Sequence, residues 1–388
     1  MSPLRILIVT GTFHPEAGGP SRYLLNLATD LSHAGHGVSV VTFGEPFEHA
    51  YPFAVKRISR KWPVPVRLAL MAASVIPRAA TADLLFVNDY GLPPAIVNLS
   101  LRKPMVMKIV GDFAWEWSVR HGHVTENIDE FQTHGHDATV SLVKGLQRFY
   151  AGQADRIITP SGYLRGIVSG WGIDESRVRV VTNAVDPAKY PFPESREAAQ
   201  KQLGLEGRFV VTVARLTPWK GVDALIRCVP QLPAGWKLLV VGDGPGRAPL
   251  EAQSRAAGLT QRIIFTGEVA QDKVPAYLRA SDIFALFTGY EGLSHVLLEA
   301  QMAGLPTVAT RKGGNPEVIR NGENGILVEY GDETRLGEAL VQLASDGVLR
   351  AKLAENARRA SATFDWSRLL ETTTAVFREA AFGAEGSR

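Results

Sequence analysis

Short apolar runs alternate with amphipathic segments along the whole chain, and they fall into two successive series. Such runs are typical of buried strands, and segments in which Leu24, Leu27, Ala28 and Leu31 share one face are typical of helices. The predicted strands of the first series are 4–9, 38–42, 84–87, 106–110, 156–159 and 178–182. Those of the second are 209–213, 238–241, 263–266, 283–287, 307–310 and 325–328.

A polar, proline-bearing stretch at 187–207, with a predicted helix at 197–203, separates the two series as a linker. Strand–helix alternation predicts parallel sheets covered by helices on both faces. We therefore expect an α/β protein with two Rossmann-like, doubly wound parallel-sheet domains that face each other. The predicted domains are 1–187 and 188–365, and residues 366–388 are predicted to form a terminal helix and a polar tail.

The stretch from Gly289 to Pro306 places two acids around a predicted helix start. Glu291 follows a strand, Ser294 is a helix N-cap, and Glu299 lies about one and a half turns into a helix at 295–303. The amides at such a helix start suit an anion, and the two carboxylates suit hydroxyl groups of a hexose and a ribose. The alternative is an ordinary strand–loop–helix unit whose glutamates favour the helix dipole.

Glycines and cations follow other predicted strands. Gly18-Gly19 precedes a helix, where glycine lets the backbone approach a ligand, but the absence of Gly-x-Gly-x-x-Gly argues against a dinucleotide cofactor. Arg215 and Lys220 lie at a strand end, where they suit a diphosphate. The chain has no Asp-x-Asp pair to hold a divalent ion. We therefore expect no metal, and we expect cations and amides to stabilise a nucleoside-diphosphate leaving group.

Composition is that of a soluble globular protein, with 45% hydrophobic and 21% charged residues over 388 positions. The net charge of +3 is too small to indicate nucleic acid as a partner. The single cysteine, Cys228, fits a reducing cytoplasm, and we find neither a signal peptide nor an apolar run long enough to cross a membrane.

The positive charge is concentrated in an acid-free segment between Glu48 and Asp83. Residues 56–78 predict contact with an anionic membrane surface, since they combine basic side chains with Trp62. The alternative is a solvated basic face. The basic residues of the segment are Lys56, Arg57, Arg60, Lys61, Arg67 and Arg78.

Residues 111–137 lack periodicity and predict a long functional loop. The pairs His121/His123 and His134/His136 could be metal ligands, but no cysteine lies nearby, and a mobile loop is the preferred interpretation.

In this order and spacing, the motifs resemble those of the retaining glycosyltransferases of family 4, which have the GT-B fold with a deep cleft between two domains. The resemblance covers nearly the whole chain. Its most specific motifs are Glu291-x7-Glu299, Ala303-Gly304-x-Pro306 and Gly313-Gly-x-Pro-Glu317. Supporting motifs are Pro15-x-x-Gly18-Gly19, Asn183-x-Val-Asp186, Arg215 with Lys220-Gly221, Val241-Gly-Asp-Gly-Pro245 and Gly267.

The resemblance implies an acceptor-side N-terminal domain, a donor-binding C-terminal domain and a terminal helix that crosses back. It implies transfer of a hexose from a UDP- or GDP-sugar to a glycan or lipid-linked acceptor in cell-envelope synthesis, on the cytoplasmic side. Arg215 and Lys220 would hold the diphosphate, Glu299 the ribose, and Glu291 the hexose. Further donor contacts are implied for Gly18, Gly19, Gly111, Gly242, Gly267, Val269, Leu293, Ser294 and His295.

One position departs from the family pattern, because Val110 stands where a histidine near the donor sugar is frequent. Asp89 likewise replaces a frequent histidine. We expect Asp112 to face the donor hexose as a catalytic residue instead, with Glu116 as a weaker candidate. Two other functions stay open: a GT-B nucleotide-sugar epimerase, and a non-catalytic module that binds nucleotide sugars.

Overall fold

The computed structural model describes residues 2–16 and 18–383, and the chain forms two compact units. The first unit contains the residues up to Thr182 and those from Ser367 onward, and the second is Asn183–Trp366. These divisions lie close to the boundaries expected at 187/188 and 365/366. The predicted polar tail beyond Gly383 lies outside the described residues.

The first unit is built on a parallel sheet of seven strands covered by helices. Its strands are β1 (Arg5–Thr10), β2 (Gly37–Phe43), β3 (Ala54–Ile58), β4 (Leu84–Asn88), β5 (Met105–Lys108), β6 (Arg156–Thr159) and β7 (Val178–Val180). Its helices before the division are α1 (Gly19–His33), α2 (Val64–Thr81), α3 (Leu92–Leu101), α4 (Phe113–Arg120), α5 (Ile128–Thr133), α6 (Ala138–Gly152) and α7 (Gly162–Gly170). The strand order is β3-β2-β1-β4-β5-β6-β7.

The second unit repeats this plan with a parallel sheet of six strands. Its strands are β8 (Arg208–Val213), β9 (Trp236–Val241), β10 (Ile263–Gly267), β11 (Ile283–Leu286), β12 (Thr307–Thr310) and β13 (Gly325–Val328). Its helices are α8 (Arg196–Leu203), α9 (Val222–Cys228), α10 (Arg247–Ala256), α11 (Val274–Arg279), α12 (His295–Met302), α13 (Asn315–Val318), α14 (Glu333–Ser345) and α15 (Gly347–Ser361). The strand order is β10-β9-β8-β11-β12-β13.

Both faces of the second sheet are buried, and successive side chains of a strand pack into different hydrophobic cores. Val210 of β8 packs into one hydrophobic core, and its neighbours Phe209 and Val211 pack into the core on the other face. Successive side chains of a strand point to opposite faces, so a strand buried on both sides is apolar throughout. The two parallel sheets confirm the predicted fold class.

The last helix, α16 (Trp366–Phe382), packs on the first unit. Phe377 is fully buried, and its ring lies 4.9 Å from that of Phe86 in β4. Glu379 forms ion pairs with Arg156 at 2.9 Å and Arg179 at 2.6 Å. The buried ring of Phe377 and the two ion pairs of Glu379 thus hold this helix against β4, β6 and β7.

The structure corrects the predicted loop at 111–137, which is largely helical. Asp112 caps α4 through the Trp115 amide, and Asn127 forms a capping box with Glu130 at the start of α5. Helices of eight and six residues are too short for periodicity to stand out, so capping residues were the available signal. The sequence also did not predict β3 or α2, which carry most of the basic segment.

Candidate functional site

The stretch with two acids folds as predicted, with a loop after β11 and a helix, α12. Ser294 is the N-cap, and its hydroxyl accepts a 3.4 Å hydrogen bond from the Leu297 amide. Glu291 lies in the loop, and Glu299 lies inside the helix. The first amides of a helix have no intrahelical acceptor, so this end of α12 favours a negatively charged ligand.

Buried polar side chains hold the loop before α12 in place. The Thr288 hydroxyl donates to the Tyr290 carbonyl at 2.8 Å, and the Thr310 hydroxyl donates to the Thr288 carbonyl at 2.6 Å. The side-chain amide of Asn183 donates to the Leu293 carbonyl at 2.8 Å. These threonine and asparagine side chains therefore bind backbone carbonyls, and they hold the loop that carries Glu291 in a fixed position.

Two glycines allow neighbouring loops to approach the Glu291 loop. A Cβ on Gly221 would lie 2.0 Å from the Phe287 carbonyl oxygen, and one on Gly313 would lie 2.0 Å from that of Glu291. Both glycines have a φ of 61°, in the left-handed region. Any side chain at these positions would separate the loops after β8, β11 and β12.

Lys220 and Glu291, predicted to bind phosphate and hexose respectively, are ion-paired with each other. The Lys220 ammonium donates to Oε1 of Glu291, and the side chains are 18% and 14% exposed. Arg215, at the end of β8, is exposed, and its guanidinium has no hydrogen-bond partner in the described part of the chain. The site therefore presents one unpaired cation and one cation neutralised by its neighbour.

Glu299 lies deeper in the site than Glu291. It is 4% exposed, and its Oε1 accepts a 3.3 Å hydrogen bond from the Gln271 side chain. Leu293 and Ser294 are buried, and His295 is half-buried at the helix start. These positions form the rim of the N-terminal end of α12.

The loops after β9 and β10 border the same edge of the sheet. The Gly242 amide donates to the Gly267 carbonyl at 3.1 Å, and a Cβ on Gly242 would lie 2.1 Å from the Ala214 carbonyl oxygen. A Cβ on Gly267 would lie 2.6 Å from a nitrogen of Arg247. Val269 packs against the core on this side. Gly242 and Gly267, for which donor contacts are implied, thus bring two further loops close to Ala214, the residue that precedes Arg215.

These residues meet at the topological switch point of the second sheet. β8 lies between β9 and β11, so the connections leave it in opposite directions. In open α/β sheets, ligands bind at the carboxyl ends of the strands at such a point. Arg215 and Lys220 follow β8, and Glu291 and α12 follow β11. The carboxyl edge of the second sheet therefore combines two cations, two carboxylates and a helix N-terminus.

In the first unit, the predicted glycines also follow strands. Gly18 precedes α1 with a φ of 123°, and Gly19 is the first residue of that helix. Gly111 and Val110 follow β5, and both are half-buried. These positions lie at the carboxyl edge of the first sheet, and their donor contacts stay predictions.

The structure shows Asp112 in a structural role, and its expected contact with the donor hexose stays a prediction. Its side chain is fully buried, and Oδ1 accepts hydrogen bonds from the Trp115 amide and from Gln147, both at 3.0 Å. Oδ2 accepts a bond from Gln132 at 2.8 Å. Both oxygens are thus engaged inside the unit. Glu116, the weaker candidate, is half-buried in the first turn of α4.

The histidine pairs of residues 121–136 bind other side chains. Although burial opposes it, hydrogen bonds from His136 and His134 hold the pKa of Glu126 below its ordinary value. His121 and His123 stack on the Trp117 ring, with centroids 4.4 and 5.1 Å away. Within residues 2–16 and 18–383, no group of three or more histidine, cysteine or acidic side chains could hold a metal ion.

Sequence reasoning missed a buried lysine near a half-buried acid, at the carboxyl ends of β5 and β4. Lys108 is 2% exposed, and its ammonium lies 3.4 Å from the centroid of the Tyr23 ring. Burial lowers the pKa of Lys108 to about 7 and raises that of Asp89, and the attraction between the two charges opposes both shifts. Asp89 and Tyr90 also have positive φ angles of 63° and 51°. The signal available in the sequence was Lys108, a lysine within an apolar strand.

Comparisons with known proteins agree with this geometry. The family described as "Glycosyltransferase Family 4" matches residues 17–189, and "Glycosyl transferases group 1" matches residues 194–360. The N-acetyl-alpha-D-glucosaminyl L-malate synthase of Bacillus anthracis is 28% identical over 89% of this chain and 90% of its own length. A GDP-mannose-dependent monoacylated alpha-(1-6)-phosphatidylinositol monomannoside mannosyltransferase of Corynebacterium glutamicum is 27% identical over 94% of each chain.

Solved structures share the fold over nearly the full length. Sucrose-phosphate synthase from Thermosynechococcus elongatus has a TM-score of 0.80 and 20% identity over 97% of this chain and 98% of its own. Anabaena HepE in complex with UDP and glucose has a TM-score of 0.78 and 24% identity over 96% and 98%. With two family models that together span both units, the chain belongs to the family 4 glycosyltransferases and is an enzyme of the GT-B fold.

Proposed function

We propose that this glycosyltransferase moves a hexose from a nucleoside-diphosphate sugar to a glycan or lipid-linked acceptor, with retention of configuration and without a metal ion. The observation that carries the proposal is the switch point of the second sheet. The carboxyl edge of the sheet carries Arg215, Lys220, Glu291 and the N-terminus of α12 at this point. Positive charge and helix amides suit a diphosphate, and carboxylates suit hydroxyl groups.

The pairing of Lys220 with Glu291 suggests how a donor enters. The diphosphate takes over the Lys220 ammonium, and this releases the Glu291 carboxylate for a hexose hydroxyl. Glu299 binds the ribose, and Arg215 adds a second charge on the diphosphate. Fixed cations and amides then stabilise the negative charge that develops as the glycosidic bond breaks. The acceptor oxygen forms its bond to the anomeric carbon on the face that the phosphate leaves, which gives retention, and the leaving phosphate oxygen accepts the proton of the acceptor.

A donor panel tests this proposal. The relatives' names include N-acetylglucosaminyl transfer and GDP-mannose, so the panel contains UDP- and GDP-sugars. We expect slow release of nucleoside diphosphate from one donor, and a loss of ~100-fold or more in Lys220→Ala. Lys352→Ala, an exposed lysine on α15, is the matched control and should keep full activity. Epimer formation without diphosphate release would refute transfer, and binding without either product would indicate a non-catalytic module.

Metal independence is tested on the same reaction. With Arg215, Lys220 and α12 as the source of positive charge, diphosphate release should continue in excess EDTA. An activity that EDTA removes and Mg²⁺ restores would show that these groups do not suffice.

The membrane part of the proposal rests on an apolar surface of the first unit. Helix α2 has 18 residues, of which only Met71, Val75 and Ala79 are buried, and by length and composition alone it could cross a membrane. This corrects the expectation of no apolar run of that length. α2 packs against α3, and α3 packs against α6. The exposed apolar residues of these helices and the preceding turn form the apolar surface: Trp62, Val64, Val66, Leu70, Ile76, Ile96, Leu99, Leu142, Leu146 and Phe149.

Cations border this apolar surface. Lys56 and Lys61 are exposed, whereas Arg57 and Arg60 are engaged with His14 and Glu16 inside the unit. Exposed apolar side chains beside lysines suit the headgroup region of an anionic bilayer. The proposed location is therefore the cytoplasmic face of a membrane, where a lipid-linked acceptor would be within reach.

A further inference from the structure

A second cationic site lies in the second unit, at the edge of the sheet opposite the donor residues. A cavity of about 520 Å³ opens at the amino ends of β11 and β12, lined by Asp282 before one strand and Pro306 before the other. We call it the arginine cavity, because its charged lining consists of Arg196, Arg279, Arg350 and Arg358 with two acids, Glu194 and Asp282. Positive charge is therefore in excess.

Backbone carbonyls and nearby acids compensate part of this excess. Arg279 donates to the carbonyls of Pro193, Glu194 and Ala303, and Arg350 donates to those of Leu343 and Ala344. Burial, together with repulsion from Arg208 and Arg196, lowers the pKa of Arg350, and attraction to Asp282 and Asp346 opposes this shift. Arg196 forms a 3.2 Å ion pair with Asp282, but its Nε is buried and has no hydrogen-bond partner in the described residues. Arg358 pairs only loosely with Glu355, at 3.6 Å, and remains half exposed. A buried donor without an acceptor is costly, so Arg196 keeps unused hydrogen-bonding capacity beside the cavity.

The shape of the cavity also favours an anion. Gly347, the first residue of α15, and Ser195, the N-cap of α8, both line it, so two helices begin there. Asp346 caps α15 through the Leu349 amide, and Ser195 caps α8 through the Ala198 amide, so the other amides of each first turn have no intrahelical acceptor. Gly304 has a φ of 71°, and a Cβ there would lie 2.9 Å from Nε of Arg358. This glycine lets the arginine lie across the end of α12 toward the cavity.

We propose that the arginine cavity binds a soluble, phosphate-bearing small molecule at a site separate from the donor site. Guanidinium groups match phosphate oxygens with paired hydrogen bonds, and helix N-termini favour the same group. The volume exceeds that of a single phosphate and falls within the range of small-molecule sites. The ligand is therefore a phosphorylated metabolite or an oligophosphate, not a macromolecule.

Inorganic pyrophosphate is the probe, and the donor cations are removed first so that only the second site is measured. In the Arg215→Ala/Lys220→Ala background, calorimetric titration should show one saturable site. Adding Arg358→Gln or Arg196→Gln should weaken the dissociation constant at least 10-fold. Arg359→Gln is the matched control, because this neighbouring arginine shares the partner Glu355 but does not line the cavity. It should change the constant less than twofold.

Three results would overturn the proposal. They are an absence of saturable binding in the background chain, unchanged binding in Arg358→Gln, or equal weakening by Arg359→Gln, which would indicate unspecific attraction only. Thermal unfolding checks each variant, and pyrophosphate should raise the midpoint of the background chain but not that of the Arg358→Gln chain. The test needs no activity, so its failure is distinct from failure of the proposed transfer reaction.

Discussion

At the residue scale, the pair formed by Lys220 and Glu291 bears on how the proposed donor site would respond to a ligand. The two side chains bind each other and are largely buried, so neither is available to a ligand without exchange. Such a pair lowers the cost of keeping two charges close before the substrate arrives. In the proposed donor site the pair would also oppose binding, since the diphosphate would have to displace the carboxylate from the ammonium.

Replacing Glu291 with glutamine should therefore separate binding from turnover. Glu291→Gln frees Lys220 and removes a negative charge near the diphosphate, so we expect tighter binding of free nucleoside diphosphate and a lower kcat. Calorimetry with the diphosphate and initial rates with its sugar donor measure the two effects. Weaker binding of the diphosphate would show that the pair does not compete with the ligand. Glu323→Gln, on an exposed turn, is the control.

The second prediction at this scale concerns Lys108 and pH. Its folded-state pKa, about 7, lies below the ordinary 10.5, so between these values the unfolded chain binds more protons than the folded chain. Stability should therefore rise with pH from about 7 upward. The pKa of Asp89 is shifted upward instead, so its contribution makes stability fall as pH rises through the acid range.

Together the two groups predict a minimum in the thermal midpoint near neutral pH. Thermal unfolding from pH 5 to pH 9 should show it, and Lys108→Met should remove the rise on the alkaline side. Lys61→Met, at a side chain that is 85% exposed, should leave the profile unchanged. An identical alkaline rise in Lys108→Met and the wild type would contradict the assignment.

The sequence located the residues of the proposed donor site but did not predict the contacts among them. Arg215, Lys220, Glu291 and Glu299 were identified from strand ends and spacing, and their elements lie where expected. The ion pair was not predicted, because it depends on how closely Gly221 and Gly313 bring three loops together. Backbone approach of this kind is not encoded in the periodicity of one segment.

At the element scale, capping explains both the confirmed and the missed helices. α12 was predicted because Ser294 and Gly304 bound a helix that follows a clear strand. α4 was missed, and Asp112 was assigned to the sugar, because a single acid after a strand suits either a ligand or an N-cap. Only the positions of Gln132 and Gln147 on later helices decide between the two roles.

Asp112→Ala should therefore destabilise the protein more than it slows the reaction. It removes an N-cap and leaves two buried amides without acceptors, at a cost of about 2–4 kcal/mol. Urea unfolding measures this loss, and kcat per folded molecule should change only a few-fold. Asp137→Ala removes the cap of α6 at an exposed position and should destabilise the protein less than Asp112→Ala. A 100-fold loss of kcat with unchanged stability would restore Asp112 to a catalytic role.

At the scale of the whole molecule, polar and apolar surfaces are divided between the units. The second unit carries the donor residues and the arginine cavity. The first unit carries the apolar surface of α2, α3 and α6. Sequence composition located the basic segment but not this surface, because α2 and β3 were not predicted, and because α6 is distant from them in sequence.

The apolar surface predicts binding to vesicles that contain anionic lipid. Trp62, Val66 and Leu70 are 54%, 39% and 38% exposed, and full burial of such side chains contributes about 1.5–3 kcal/mol each. Changing all three to serine should therefore weaken sedimentation with the vesicles by at least ~100-fold. Val348→Ser/Phe382→Ser alters exposed apolar residues elsewhere and should bind normally.

Lys61→Gln should weaken binding less, and only at low salt, because a single surface charge is screened. Equal binding by the triple variant and the control would show that this face does not contact the bilayer, and the acceptor would then have to be sought among soluble glycans.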